Sequence, residues 1–109
     1  MYNEVIKLVS VKKTVDEYGD TVTTETETEV FAQLRSIGQS EFYQSRANGF
    51  RPEIKFIIAD FLDYSGERLV RYQPYGAEEE IDYRVIRTYQ NGTELEITCQ
   101  RGVVDSGNS

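Results

Sequence analysis

The chain contains no histidine and one cysteine in 109 residues. Without histidine it lacks the commonest general base, every His-based nucleophilic triad and most zinc sites. A lone Cys99 cannot form an intrachain disulfide, which fits a reducing compartment. As a nucleophile it would need an activating base, and none is in view. Its phase with Leu95 and Ile97 predicts a small, passive core residue. No apolar run reaches the roughly 18 residues of a membrane-crossing helix. The start, MYNEVIKLVS, has neither a basic stretch nor a long apolar segment, so no secretory signal is expected. There is no glycine-rich dinucleotide loop, no Walker loop, no EF-hand spacing and no internal repeat. Positive charge is scarce too: 12 Lys and Arg stand against 19 Asp and Glu, for a net charge of −7. That balance disfavours phosphate-driven binding of nucleic acid, which needs clustered Lys and Arg. The Glu78-Glu79-Glu80 triplet would hold a hard cation only if its loop turned the oxygens inward, and a solvated loop is expected instead. Asp63 and Glu67 flank a turn, and turn chemistry accounts for them. The residues support no enzyme, and no cofactor or metal is expected.

What is abundant is strand-forming. The length suits one domain, placed at residues 1–101, with a turn-rich tail at 102–109 expected to fray. Eight tyrosines and many Val, Ile and Thr favour strands. Glu4 to Lys13 is β-branched, with Val5, Val9 and Val11 on one face and Ile6 and Leu8 on the other. A turn follows, its tip at Tyr18-Gly19-Asp20. Thr21 to Glu29 alternates Thr with Glu, and both faces are polar. It reads as an exposed ribbon that becomes core at Val30. Asp16, Glu17, Asp20, Glu25, Glu27 and Glu29 give residues 16–29 six acids and no basic residue. Val30 to Ile37 forms a strand that Gly38 breaks.

Residues 30–57 are the hub of the chain. Ser40 is a plausible helix N-cap, and Glu41 favours the dipole at that end. Ser40 to Asn48 then reads as a short helix with Asn48-Gly49 as its stop. Pro52 forces Arg51 to be extended, and Ile54 to Ile58 forms the return strand. Leu69 to Tyr72 is a short strand, and Gln73 to Glu79 a loop. Ile81 to Arg87 is a strand with Ile81, Tyr83 and Val85 on one face. Asn91-Gly92 signals a tight hairpin. After it, Leu95, Ile97 and Cys99 point inward while Glu94, Glu96 and Thr98 point outward. Tyr72, Tyr75, Tyr83 and Tyr89 could form an aromatic surface, although strand packing with the hydroxyls at the rim explains them as well. About six short strands with one short helix predict a mainly β fold: a small antiparallel barrel or sandwich.

The order of these features resembles the small head–tail joining proteins of tailed bacteriophages, a family that includes head-closure (stopper) and head–tail adaptor proteins. Asp16-Glu17-Tyr18-Gly19 precedes the polar ribbon, and Val30-Phe31-Ala32-Gln33-Leu34 leads into Ser36-Ile37-Gly38. Ser40-Glu41-Phe42-Tyr43-Gln44-Ser45-Arg46-Ala47 is similar to the family's E-[FY]-[YF]-x-A helix, with Ser at position 45 where Ala is usual. Arg51-Pro52-Glu53-Ile54-Lys55-Phe56 matches its return strand. Val70-Arg71-Tyr72 and Tyr83-Arg84-Val85 fit the two ends of its later hairpin. The connection between them is longer here, and its glycine is displaced to Gly76. The likeness spans roughly residues 4 to 101.

The resemblance implies a structural virion protein at the head–tail interface, made in the host cytoplasm during assembly. It implies a dodecameric ring of this chain below the portal, retaining the packaged genome and docking the tail. Its implied partners are portal and connector (adaptor) ring proteins, a tail completion or tail tube protein, and copies of itself. DNA would pass through the channel without sequence-specific binding, and an acidic wall would repel its backbone. No membrane is implied. The segment Gln39–Glu53 is expected to be an interaction element carrying Glu41, Phe42, Tyr43, Arg46 and Arg51. Its arginines would pair with a neighbour's Glu25, Glu27 or Glu29, or with the connector, in preference to the alternative of facing the channel and touching DNA phosphates as part of a gate. The competing expectation is a generic β-barrel binding module for a peptide or single-stranded nucleic acid. The latter would need a Lys/Arg stripe beside exposed aromatics, which the sequence lacks.

Overall fold

The computed structural model describes residues 2–101, so the tail at 102–109 lies outside the described residues. Six antiparallel strands close into a barrel in the order β1-β2-β3-β6-β5-β4, with β4 returning to β1. The strands are β1 (Glu4–Val15), β2 (Thr21–Arg35), β3 (Ile54–Ile58), β4 (Leu69–Tyr72), β5 (Ile81–Asn91) and β6 (Glu94–Arg101). One α-helix, α1 (Gln39–Ala47), connects β2 to β3, and a 3-10 turn spans Phe61–Asp63. Within the barrel wall, closure pairs strand edges that would otherwise invite pairing with other chains.

The core follows from alternation. Ile6 and Leu8 of β1, Ala32 of β2, Phe56 and Ile58 of β3, Val70 of β4 and Ile97 and Cys99 of β6 all point inward and are buried. Phe56 is the largest fully buried side chain and meets Tyr72 and Tyr83 edge to face, with ring centroids 5.4 and 5.9 Å apart. That geometry sets ring edges against ring faces. The four tyrosines thus divide: Tyr72 and Tyr83 are core, while Tyr75 and Tyr89 are exposed. Tyr72 donates to a Glu4 carboxylate oxygen at 3.0 Å, and burial together with that carboxylate pushes its phenol up to about 12. Burial also raises the Cys99 thiol well above its ordinary range, which favours the protonated thiol over the nucleophilic thiolate.

The barrel differs from the sequence reading in several local details. Strand β2 runs unbroken from Thr21 to Arg35 and ends before Ser36. Val9, on the outer face of β1, is buried while its face-mates Val5 and Val11 are exposed. The reason is pairing: Val9 lies opposite Leu69 of β4, whereas Val11 lies beyond the end of β4. Thr98 is buried although it faces outward, because α1 lies over it. Ile57 is likewise buried on the outer face of β3. The β5–β6 turn is displaced by one residue. Asn91 pairs with Glu94, so the loop residues are Gly92 and Thr93, with Gly92 at φ +65°. A register shift between Val85 and Arg87 marks a bulge that helps β5 curve.

The β1–β2 hairpin is longer than the barrel needs. β1 pairs with β4 only over Lys7–Val9, and β2 with β3 only over Ala32–Arg35. Ser10–Val15 and Thr21–Thr26 therefore pair only with each other, forming the exposed ribbon expected from the Thr–Glu alternation. Its turn is held by Asp16, whose carboxylate accepts from the Tyr18 and Asp20 amides at 2.9 Å each. Gly19 supplies the positive φ, +84°.

Candidate interaction surface

Helix α1 has a sequence poorly suited to standing alone. It has nine residues, and its apolar side chains are only Phe42, Tyr43 and Ala47. Helices this short need tertiary support. Its first turn is not capped by Ser40: the helix starts at Gln39, Gly38 occupies the cap position, and no side chain caps it. Ser40 lies one residue inside the first turn, where its hydroxyl cannot play that part. The far end is well closed. Gly49 adopts φ +86°, the Phe50 amide donates to the Ser45 carbonyl at 2.9 Å, and the Gly49 amide donates to the Arg46 carbonyl at 3.0 Å. This pair of bonds is a Schellman motif, and it turns the chain out of the helix.

What fastens α1 to the barrel is charge. The Glu41 carboxylate accepts from Lys55 Nζ of β3 at 2.8 Å, from Arg87 of β5 and from the Thr98 hydroxyl of β6 at 3.4 Å. One side chain thereby bridges three strands. Lys55 also pairs with Glu96 at 3.3 Å. Burial alone would raise the Glu41 pKa, but the hydrogen bonds from Lys55 and Arg87 prevail and hold it below the usual carboxylate range. Ser45 is buried under the helix, with its hydroxyl unpartnered. Beyond the helix, the Arg51 amide donates to the Gln100 side chain at 2.9 Å and the Glu53 amide to the Cys99 carbonyl at 2.9 Å, anchoring the return to β3.

The outward side of the segment is different. Tyr43 is exposed, as are Arg46 and Arg51. Phe42 is half-buried and carries the Arg46 guanidinium 5.8 Å over its ring, a cation–π contact that orients the arginine.

The ribbon acids form a second, separate group. Arg71 of β4 is their hub: it bonds Asp82 through Nε at 2.7 Å, Glu27 at 2.5 Å and Glu25 at 3.4 Å. The hydrogen bond to Asp82, foremost, raises the guanidinium pKa further above its ordinary value. Lys7 bonds Glu80 at 2.8 Å and lies 3.8 Å from Glu27. Glu29 is exposed. Among the described residues, no hydrogen bond or ion pair links these acids to Arg46 or Arg51 of the same chain. Sequence reasoning gave Glu41 a dipole role and did not find its partners. Lys55, Arg87 and Thr98 lie 14, 46 and 57 residues away, and only the barrel order brings them together. Among the described residues no cluster of three or more His, Cys, Asp or Glu could hold a metal ion, and no helix is long and apolar enough to cross a membrane.

No family model matches the chain, and no curated protein matches it. Its fold is similar to that of protein SF1141 from Shigella flexneri 2a, a structural-genomics target solved in solution. The TM-score is 0.74 at 18% identity, covering 95% of this chain and 96% of that one. At that identity the likeness establishes a shared fold alone.

Proposed function

We propose that the chain is a structural virion protein joining a phage head to its tail. In this reading it forms a ring below the portal and connector that retains packaged DNA and receives a tail completion or tail tube protein. The order of segments along the chain supports it: an acidic hairpin, a short E-F-Y helix held outside the barrel, and a return strand after Arg51-Pro52. The mechanism is steric and mechanical. A rigid closed barrel transmits load, and an acidic surface lets DNA slide past without adhering. Tyr43, Arg46 and Arg51 are the α1 residues offered to a neighbour or to the connector, since Glu41 is occupied in fastening the helix.

The test is to remove the chain from the cell that produces the particles, then image the heads and measure retained DNA. The expected result is filled heads that lack tails and lose DNA. Normal yields of tailed, filled particles would reject the reading. A second arm restores the chain carrying Arg46→Glu and Arg51→Glu. Folded protein that fails to restore tail attachment would assign those arginines to the contact, and full restoration would remove them from it.

A further inference from the structure

The ribbon leaves sheet edge open on both of its sides, as does β5 beyond Arg84, where its pairing with β4 ends. Past Val9, β1 has no second neighbour over Ser10–Val15, and before Ala32, β2 has none over Thr21–Phe31. Open edges are templates for pairing with another chain. The two edges differ in charge. Between Ser10 and Val15 the charged residues are Lys12 and Lys13; between Thr21 and Phe31 they are Glu25, Glu27 and Glu29. Because side chains alternate and Val11 lies opposite Glu25, Lys13 stands on the same face as all three glutamates.

The basic edge also has room beside it. A groove runs along β1, with Val9, Val11 and Lys13 on one wall and Glu67 and Arg68 on the other. The Glu67 carboxylate is turned to the Ser65 amide, at 2.7 Å. Lys13 and Arg68 are both exposed. The groove therefore suits an acidic strand. The chain's own β2 cannot supply it, because it lies on the opposite side of β1. Glu25 and Glu27, although paired with Arg71, keep 48% and 39% of their side-chain surface exposed.

We propose that the β2 edge of one copy pairs with the β1 edge of a second copy, setting Glu25, Glu27 and Glu29 against Lys13 and Arg68 in the groove. Copies in the same orientation place these strands antiparallel, so the ribbons join into one continuous sheet. Pairing β2 with β2 would oppose two rows of glutamate, and pairing β1 with β1 would oppose lysines; like charges across strands disfavour both. The contact is thus heterologous: it leaves each assembly one free edge of each kind and closes only as a ring. It is weak per copy and gains strength when a ring closes, because each added contact is then intramolecular. The ring rests on the assembly role proposed above, whereas the edge contact is tested on the isolated chain and can fail or hold without it.

The experiment is amide hydrogen exchange on the purified full chain at low salt, from dilute solution to about 1 mM, where even a weak contact is half-formed. Sedimentation is run in parallel. The expected result is concentration-dependent protection of amides on both edges, 10–15 and 21–31, together with a rise in mass. Both should be lost in Lys13→Glu/Arg68→Glu and kept in Lys13→Arg/Arg68→Lys, with unchanged circular dichroism confirming the fold. No association at about 1 mM, protection of one edge only, or association unaffected by the charge reversal would each overturn the proposal.

Discussion

The two halves of the β1–β2 hairpin are built on one ladder and live in opposite environments. At the barrel end, Ile6, Leu8 and Ala32 are fully buried; at the far end, Val11, Val15 and Val22 are between 41% and 70% exposed. Pairing continues without a bulge from Glu4–Ala32 to Val15–Thr21. Register is therefore carried by strand propensity and the Asp16 turn, while burial decides how strongly each half is held. The barrel half belongs to a cooperative core, and the ribbon half to the low-stability end of the molecule.

The largest effect should come from the core. Phe56→Ala removes the ring that Tyr72 and Tyr83 pack against and should cost about 3–5 kcal/mol, read from denaturant unfolding. A cost below about 1 kcal/mol would mean that the barrel interior is not the source of stability.

Next comes the fastening of α1. Glu41→Gln leaves Lys55 and Arg87 short of a charged partner and should cost about 1–2 kcal/mol. Because the folded Glu41 pKa lies below its ordinary 4.5, its contribution is fully present above that value and is lost as pH falls through the folded pKa. The stability gap between wild type and Glu41→Gln should therefore close as pH falls below the ordinary carboxylate value and through the folded one. A gap independent of pH would show that the carboxylate is not fastening the helix through its charge.

The hairpin at the other end of the barrel gives a smaller effect. Gly92→Val should cost about 1 kcal/mol, since a β-branched residue resists φ +65°. A Cβ there would meet nothing within 4 Å, so the cost is backbone strain alone. An unchanged melting temperature would contradict the positive-φ turn. Smallest of all, Tyr18→Ser at the exposed ribbon tip should change stability by less than about 0.5 kcal/mol. A larger loss would mean that the ribbon is part of the cooperative core.

The barrel was legible where one face is buried and the other solvated. Leu95, Ile97 and Cys99 of β6 face the core as their alternation predicts, and the Thr–Glu run of β2 is a solvated ribbon. It became illegible where a strand is covered on both sides. Thr98 lies beneath α1 and Ile57 is buried on the outer face of β3, and no period-two pattern reports either. Turn chemistry located the Asn91-Gly92 hairpin, but Gly92-Thr93 is an equally short loop, and the ladder rather than the dipeptide fixed the phase. The candidate site was legible as a segment and not as a geometry. Phe42, Tyr43, Arg46 and Arg51 can be picked out by residue type. That Glu41 faces the barrel while Arg46 faces solvent depends on contacts across 14 to 57 residues.

If the ribbon serves a second copy, as proposed above, the barrel should stand without it. Excising Lys12–Thr24 and joining Val11 to Glu25, which are partners in the ladder, through an Asn-Gly turn tests it most directly. Thermal unfolding should stay cooperative, with a melting temperature close to that of the intact chain, while concentration-dependent association disappears. An unfolded product, or one that associates as the intact chain does, would contradict it.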